Sequence, residues 1–352
     1  MVKITINDNV AKLKQKSKAK NTQDKYEGDW LKFTNYCQNK YLCNPLDVDD
    51  LESAYALTAN YMDWLHEDPE AKVFKGSSNI PGREKLNNNP YSSSPYKAST
   101  IQRILASITY KYRLNGFQFD RKNPNIAETI SAIVRDEKNN KSGQAKELLK
   151  SDIVKIIDSI PSDEDDYSNI RDKALILVGF YSFCRRSELL GMKFEHLNFE
   201  SDGVQVLIPF SKTDQTGQGR MIFLPATNDN YCPVRALNHW LEIAMIEQGP
   251  LFYKINKSNT VEKYTMNHKN QKVSLTDTSF VLILKKRASD AGLEDCQKIS
   301  GHSLRIGSIT QARMNGVPIH EIMAQSGHKT TQMIDRYTKL SNIRETSAAK
   351  KI

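Results

Sequence analysis

Two Gly-His pairs stand close together near the end of the chain, Gly301–His302 in "ISGHSLRIGS" and Gly327–His328 in "SGHKTTQMIDRYTKL". His302 and Arg305 are three residues apart, a spacing that on a helix puts an imidazole and a guanidinium on one face. Upstream, "FCRRSELLGMKFEHL" repeats that spacing with Arg185 and Glu188, again predicted on one helix. Lys212 sits in the polar run "SKTDQTGQ", and Tyr337 follows His328 by nine residues. Two arginines, a lysine, two histidines and a tyrosine are what phosphoryl transfer without a metal requires. A guanidinium fork binds two phosphate oxygens at once, which an ammonium cannot do. Two forks neutralise the charge that grows on the equatorial oxygens of an in-line displacement. A tyrosine is ionised to only about one part in a thousand at pH 7, so as a nucleophile it needs cationic neighbours and a base, which His302 can supply. A lysine ammonium such as Lys212 can protonate the leaving oxygen, and Glu188 can orient the basic groups around it.

Each of these residues has an ordinary reading when taken alone. Arg185 and Glu188 could be a helix ion pair, Lys212 a solvated hairpin residue and His302 a satisfied core histidine. His328 could open a helix, and Tyr337, at helical spacing from Met333, could be core. Their combination carries the functional reading.

The elements that must position them divide the chain. From Thr22, a candidate N-cap, Tyr26, Trp30, Phe33 and Cys37 form one stripe of an amphipathic helix. "LESAYALTANYMDWLHED" is a second helix, ended by Pro69. Residues 69–97 are crowded with Pro, Gly, Ser and Asn and predict a long loop. A third helix starts at Ser99–Thr100 with Ile101, Ile104, Leu105, Ile108 and Tyr112 inward, and "NIAETISAIVRDEKN" is a fourth. The polar, Gly-containing stretch at 139–146 predicts an interdomain linker. Beyond it, "KSDIVKIIDSI" and "IRDKALILVGFYSF" read as helices, the second apolar nearly all round and therefore buried. "GVQVLIPF" and "GRMIFLP" read as two strands joined by the Lys212 tip. About four more helices follow.

A length of 352 residues favours two domains. The formal charge of +9 favours a polyanionic partner, nucleic acid or an anionic membrane surface. No apolar run approaches the ~20 residues that cross a bilayer, and the N-terminus carries no secretory signal. Its alternating lysines, Lys12 to Lys20, suggest a DNA-tracking arm or a solvated tail. Five irregularly spaced cysteines with no CxxC predict reduced thiols inside a cell, and neither a disulfide framework nor a bound metal or other cofactor.

The ordered elements resemble the tyrosine recombinase family, whose members share Arg, a hairpin Lys, His-x-x-Arg, His or Trp, and Tyr in that order. Arg185 with Glu188 matches the family's "LRxxEL", Lys212 its hairpin lysine, "GHSLRIG" its His-x-x-Arg box, and His328 to Tyr337 its last spacing. "SGHSLRIG", "GVPIHEIMAQSG" and "QAKELLKSDI" are most similar to the Cre-like site-specific recombinases. Arg186 stands where an aliphatic residue is usual, and the Arg-x-x-Glu spacing selects Arg185 as the clamp.

The resemblance implies a mostly α fold with a small antiparallel β-sheet, arranged as a two-domain, C-shaped DNA clamp. Residues 1–138 would be a helical core DNA-binding domain, with 1–20 a basic arm, and 147–352 a mixed α/β catalytic domain. It implies that Tyr337 attacks a DNA phosphate to give a 3′-phosphotyrosine while Arg185, Arg305 and His328 hold the transition state. His302 would be the general base and Lys212 the general acid. The partners would be double-stranded DNA with an inverted-repeat site, bound by one or two copies per site, and a homotetramer that passes through a Holliday junction. The compartment would be a bacterial nucleoid or a eukaryotic nucleus. Type IB topoisomerases and protelomerases share the same chemistry. "PIHEIMAQSGHKTTQMIDRYTKL" also admits a non-catalytic helix-turn-helix DNA reader.

Overall fold

The computed structural model describes residues 20–68, 71, 96–139, 145–163, 165–209, 219–263, 265–266 and 272–338. The basic arm up to residue 19 and most of the 69–97 stretch lie outside the described residues. The chain divides into two compact units, Met1–Ser142 and Gly143–Ile352.

The first unit contains α1 (Lys20–Tyr41), α2 (Leu51–Glu67), α3 (Ala98–Leu114) and α4 (Pro124–Asn139). The α1 helix starts before Thr22, so Thr22 is an internal residue and not the N-cap. The helices pack along the expected stripes: Phe33 and Cys37 from α1 meet Ile101, Ile104, Leu105, Ile108 and Tyr112 from α3, all buried. Aromatic rings fill this core, with Tyr112 stacked on Phe119 at 4.9 Å and Trp30 edge-on to Tyr112 at 5.5 Å, contacts that add to the burial itself. Asp50 opens α2 by accepting a hydrogen bond from the Ser53 amide at 2.6 Å. On the surface, His66 pairs with Asp136 at 3.1 Å and lies beside Glu67.

The second unit contains α5 (Lys150–Ser159), α6 (Tyr167–Tyr181), the short α7 (Arg186–Leu190), α8 (Pro233–Ile243), α9 (Asp277–Asp290), α10 (Ser303–Met314), α11 (Ile319–Ser326) and α12 (Thr331–Thr338). Its sheet is antiparallel in the order β1-β2-β3, with β1 (Leu197–Glu200), β2 (Gly203–Ile208) and β3 (Arg220–Pro225). The antiparallel pairing of β2 with β3 is as expected, its connection at 210–218 lying outside the described residues, while β1 is an addition. Among the described residues two further antiparallel pairs of two-residue strands follow, β4 (Lys254–Ile255) with β5 (Val261–Glu262) and β6 (Thr265–Met266) with β7 (Lys272–Val273). Helix α6 is buried nearly all round, as its composition requires, and Val204, Val206, Ile222 and Leu224 of the sheet join the same core.

Most of the expected linker, residues 140–144, lies outside the described residues. Helix α4 runs to Asn139, and by Lys146 the chain is already fixed: its amide donates to the Lys298 carbonyl at 3.1 Å. Leu148 follows, its amide donating to Ser303 O. Gly307 makes this approach possible, because a Cβ there would fall 1.7 Å from the Leu148 carbonyl oxygen. The last glycine of "GHSLRIG" is therefore a seat for the incoming backbone.

A buried ionic network ties α6 to α9. Asp172 accepts from Arg171 Nε at 2.6 Å and from Arg287 Nε at 2.7 Å, and Arg287 Nη2 also donates to Asn169 Oδ1 at 2.7 Å. Removing the shared carboxylate strands two buried guanidiniums. Asp172→Ala is expected to cost about 3–5 kcal/mol, measured as a fall in the chemical-unfolding midpoint of the full chain.

Candidate active site

Helix α6 ends at Tyr181, and the chain turns through Ser182 and Phe183 before Arg185 caps the next helix. Phe183 takes a left-handed φ of +56°, uncommon for a bulky residue and a sign of a constrained turn. Its carbonyl accepts from Arg305 Nη1 at 2.7 Å.

Arg185 and Glu188 do not lie on one helix face as expected. Arg185 is the N-cap of α7, in extended conformation, and Glu188 is the third residue of the helix. The Glu188 carboxylate reaches back to the Arg185 amide at 2.9 Å, satisfying a donor that the helix leaves open. Its other oxygen accepts from Arg185 Nη1 at 2.8 Å. Arg220 Nη2 donates to Glu188 at 3.0 Å, and Arg305 Nη1 lies 3.9 Å away. Burial pushes the Glu188 pKa up, but hydrogen bonds from Arg220 and the Arg185 backbone outweigh it and hold the carboxyl below its usual range. Glu188 is thus ionised, and three guanidiniums share its single negative charge.

Arg305 and His328 meet in the interior, both buried. Arg305 Nη2 lies 3.0 Å from His328 Nε2, and Ser326 Oγ lies 2.8 Å from His328 Nδ1. Burial, then the charges of Arg305, Arg185 and Arg220, push the His328 pKa down to about 4. The ring is therefore neutral at pH 7, and the consistent tautomer donates from Nδ1 to Ser326 while Nε2 accepts from Arg305. Burial first, and then Arg185, push the Arg305 pKa down to about 10, which still leaves it charged.

His302 departs from the shared-face expectation. It is the N-cap of α10, one residue outside the helix, and exposed, whereas Arg305 one turn on is buried. The reason is the "SGHS" turn: Ser300 N donates to Ser303 Oγ at 2.9 Å and His302 N to Ser300 Oγ at 3.1 Å, so the helix begins only at Ser303. Gly301 in this turn packs beneath Arg186, whose Nη2 donates to Asp277 at 2.6 Å. Arg186 therefore faces away from Glu188, and Arg185 is the arginine of the cluster.

Tyr337 lies on α12, whose Ile334 is fully buried beside Ile309 of α10 and Ile322 of α11. Its side chain and the whole of Lys212 lie outside the described residues. The helix–Gly turn–helix expected at 318–338 is present, with Gly327 at φ +69° between α11 and α12. Ile322 and Ile334 spend its inner faces on packing against α10.

Arg220 is the site residue that the sequence reading missed. Along "RMIFLP" the alternate residues Arg220, Ile222 and Leu224 pair with Ile208, Val206 and Val204 of β2. A charge in the inward register of a short strand was the available signal.

The cluster gathers Arg185, Glu188, Arg220, Arg305 and His328, positive in sum, at the ends of α7, β3, α10 and α11. A cluster with this excess of positive charge can hold a tetrahedral anion such as a phosphate. Residues 146–344 match the phage integrase family. An integrase/recombinase xerD homolog of Selenomonas ruminantium is 32% identical over 334 residues, covering 94% of this chain and 84% of that protein. Tyrosine recombinase XerA of Pyrococcus horikoshii is 21% identical, covering 70% of this chain and 72% of its own length. Two solved structures share the fold. The XerH site-specific recombinase in its post-cleavage complex superposes with a TM-score of 0.54 at 17% identity, covering 96% and 92% of the two chains. The Tn1549 transposon integrase does so with a TM-score of 0.54 at 15% identity, covering 99% and 94%. The chain belongs to the phage integrase family and is a tyrosine-type site-specific DNA recombinase.

Proposed function

We propose that the protein cleaves and rejoins DNA through a 3′-phosphotyrosine intermediate, using Tyr337 as the nucleophile. The observation that carries this reading is the excess of positive charge around Glu188, where three guanidiniums face one buried carboxylate beside a neutral imidazole. A cluster with this imbalance calls for an anion, and a DNA phosphate supplies one.

Arg185 and Arg305 hold the non-bridging oxygens, and Glu188 keeps both forks oriented. His328 steers Arg305, and in its other tautomer donates to the phosphate. The Tyr337 oxygen attacks phosphorus as its proton passes to His302, the P–O5′ bond breaks, and the leaving 5′-oxygen takes a proton from Lys212. The phosphodiester energy stays in the Tyr–phosphate bond, so rejoining by a 5′-hydroxyl is the same step reversed.

The first unit is the core DNA-binding domain and the second the catalytic domain in this scheme. Four copies on two sites exchange strands in turn through a Holliday junction. XerH was solved on palindromic difH DNA and the Tn1549 integrase on transposon right-end DNA, which supports duplex DNA as the partner.

A suicide substrate tests the reading: DNA from the native host that the protein crosslinks to, nicked so that the cleaved strand diffuses away. The expected result is a protein–DNA adduct that survives denaturation and maps to Tyr337. DNA binding without an adduct would identify a helix-turn-helix reader, and relaxation without exchange between two sites a topoisomerase-like enzyme.

A further inference from the structure

Arg220 is placed where nothing about an ordinary hairpin residue would put it. Its Nη2 donates to Glu188 and lies 3.5 Å from Cys184 Sγ. Among the described residues its Nε and Nη1 are buried without a hydrogen-bond partner, a costly arrangement for a cation. The guanidinium lies on Gly327, where a Cβ would stand 2.9 Å from Nη1, 3.0 Å from Cζ and 3.1 Å from Nε. Gly327 is the left-handed turn that delivers His328. A second tie joins the same two elements, because the Gln325 amide of α11 accepts from the Phe223 amide of β3 at 3.4 Å and donates to the Phe223 carbonyl at 2.9 Å. Strand β3 is thereby fixed both to Glu188 and to the turn before His328.

We infer that Arg220 is a positioning residue of the phosphate site, holding the Glu188 oxygen that Arg185 Nη1 leaves free and bracing the Gly327–His328 turn. Through these two contacts it keeps Arg185 and His328 in register for one phosphate. The inference rests on the phosphotransfer reading of the site.

Among the described residues, the groups facing His328 include Arg305 and Ser326 on the helices flanking it, Arg185 and Glu188 at the start of α7, and Arg220 on β3. Removing one of the three cations makes the imidazole easier to protonate. The test compares full-length wild type, Arg220→Gln and Arg220→Lys by DNA-site binding, thermal melting, single-turnover adduct formation and NMR titration of the His328 ring. Arg220→Gln is expected to bind its site and melt cooperatively, to form adduct about 10–100-fold more slowly, and to titrate His328 at higher pH than wild type. Arg220→Lys, which keeps the charge, is expected to leave that titration near wild type and to recover part of the rate. A wild-type adduct rate in Arg220→Gln would overturn the inference, as would a slowed rate with the His328 titration unmoved. A wild type that forms no adduct removes the phosphotransfer reading instead. The titration then still decides on Arg220, with an unmoved ring rejecting it.

Discussion

Tyr337→Phe is expected to bind the recombination site as wild type does and to form no covalent adduct, a loss on the order of 10⁴-fold or more. The substitution removes one oxygen and leaves a ring of the same shape, so helix α12 keeps its anchor through Ile334. On the proposed mechanism Arg185, Arg305 and His328 would remain to bind the phosphate, but no side-chain oxygen would be left to attack it. Denaturing gels of suicide-substrate reactions read the adduct, and mobility shifts read binding. Recombination by the phenylalanine variant would assign the nucleophile to another residue.

Arg305→Ala is expected to slow adduct formation by about 10²–10³-fold, the usual effect of losing one preorganised stabiliser of transition-state charge. Arg305 is the most enclosed of the three guanidiniums, and it serves the Phe183 carbonyl, the His328 ring and the edge of Glu188 together. Its loss leaves a carbonyl and an imidazole nitrogen without their donor as well as removing the charge. Arg305→Lys should recover little, because an ammonium cannot span the same partners in one plane. Single-turnover rates at saturating protein, with melting curves as the folding control, check both variants. A rate near wild type would remove Arg305 from the phosphate clamp.

Much of the fold was legible because its elements are long and periodic. The Ile101-to-Tyr112 stripe, the nearly all-apolar α6 and the alternating β2–β3 hairpin leave their period in the sequence and are found where they were expected. Strand β1 was not, since its four residues are mostly exposed and show no alternation. The strand pairs between 254 and 273 are two residues long, too short to carry a period at all. Within the site, residue types and order identified Arg185, Glu188, Arg305 and His328, which the structure brings together. What spacing could not reveal was cap geometry. Both Arg185 and His302 are N-cap residues, outside the helices on which an i,i+3 argument would place them. Arg220 escaped because one charged residue beside a polar tip reads as the end of a turn until the strand register is known.

Gln325 has one more consequence, for the way copies of the chain meet. Strand β3 is hydrogen-bonded to β2 along one side and, among the described residues, is the last strand of its sheet. Such a border offers main-chain donors and acceptors to any extended segment that approaches, and is a common origin of unwanted self-association. The Gln325 side chain occupies both main-chain groups of Phe223, in the manner of a neighbouring strand one residue long. With that position filled from within the molecule, the sheet is guarded against lengthening by capture of a second copy. Sheet-to-sheet pairing between copies is thereby disfavoured.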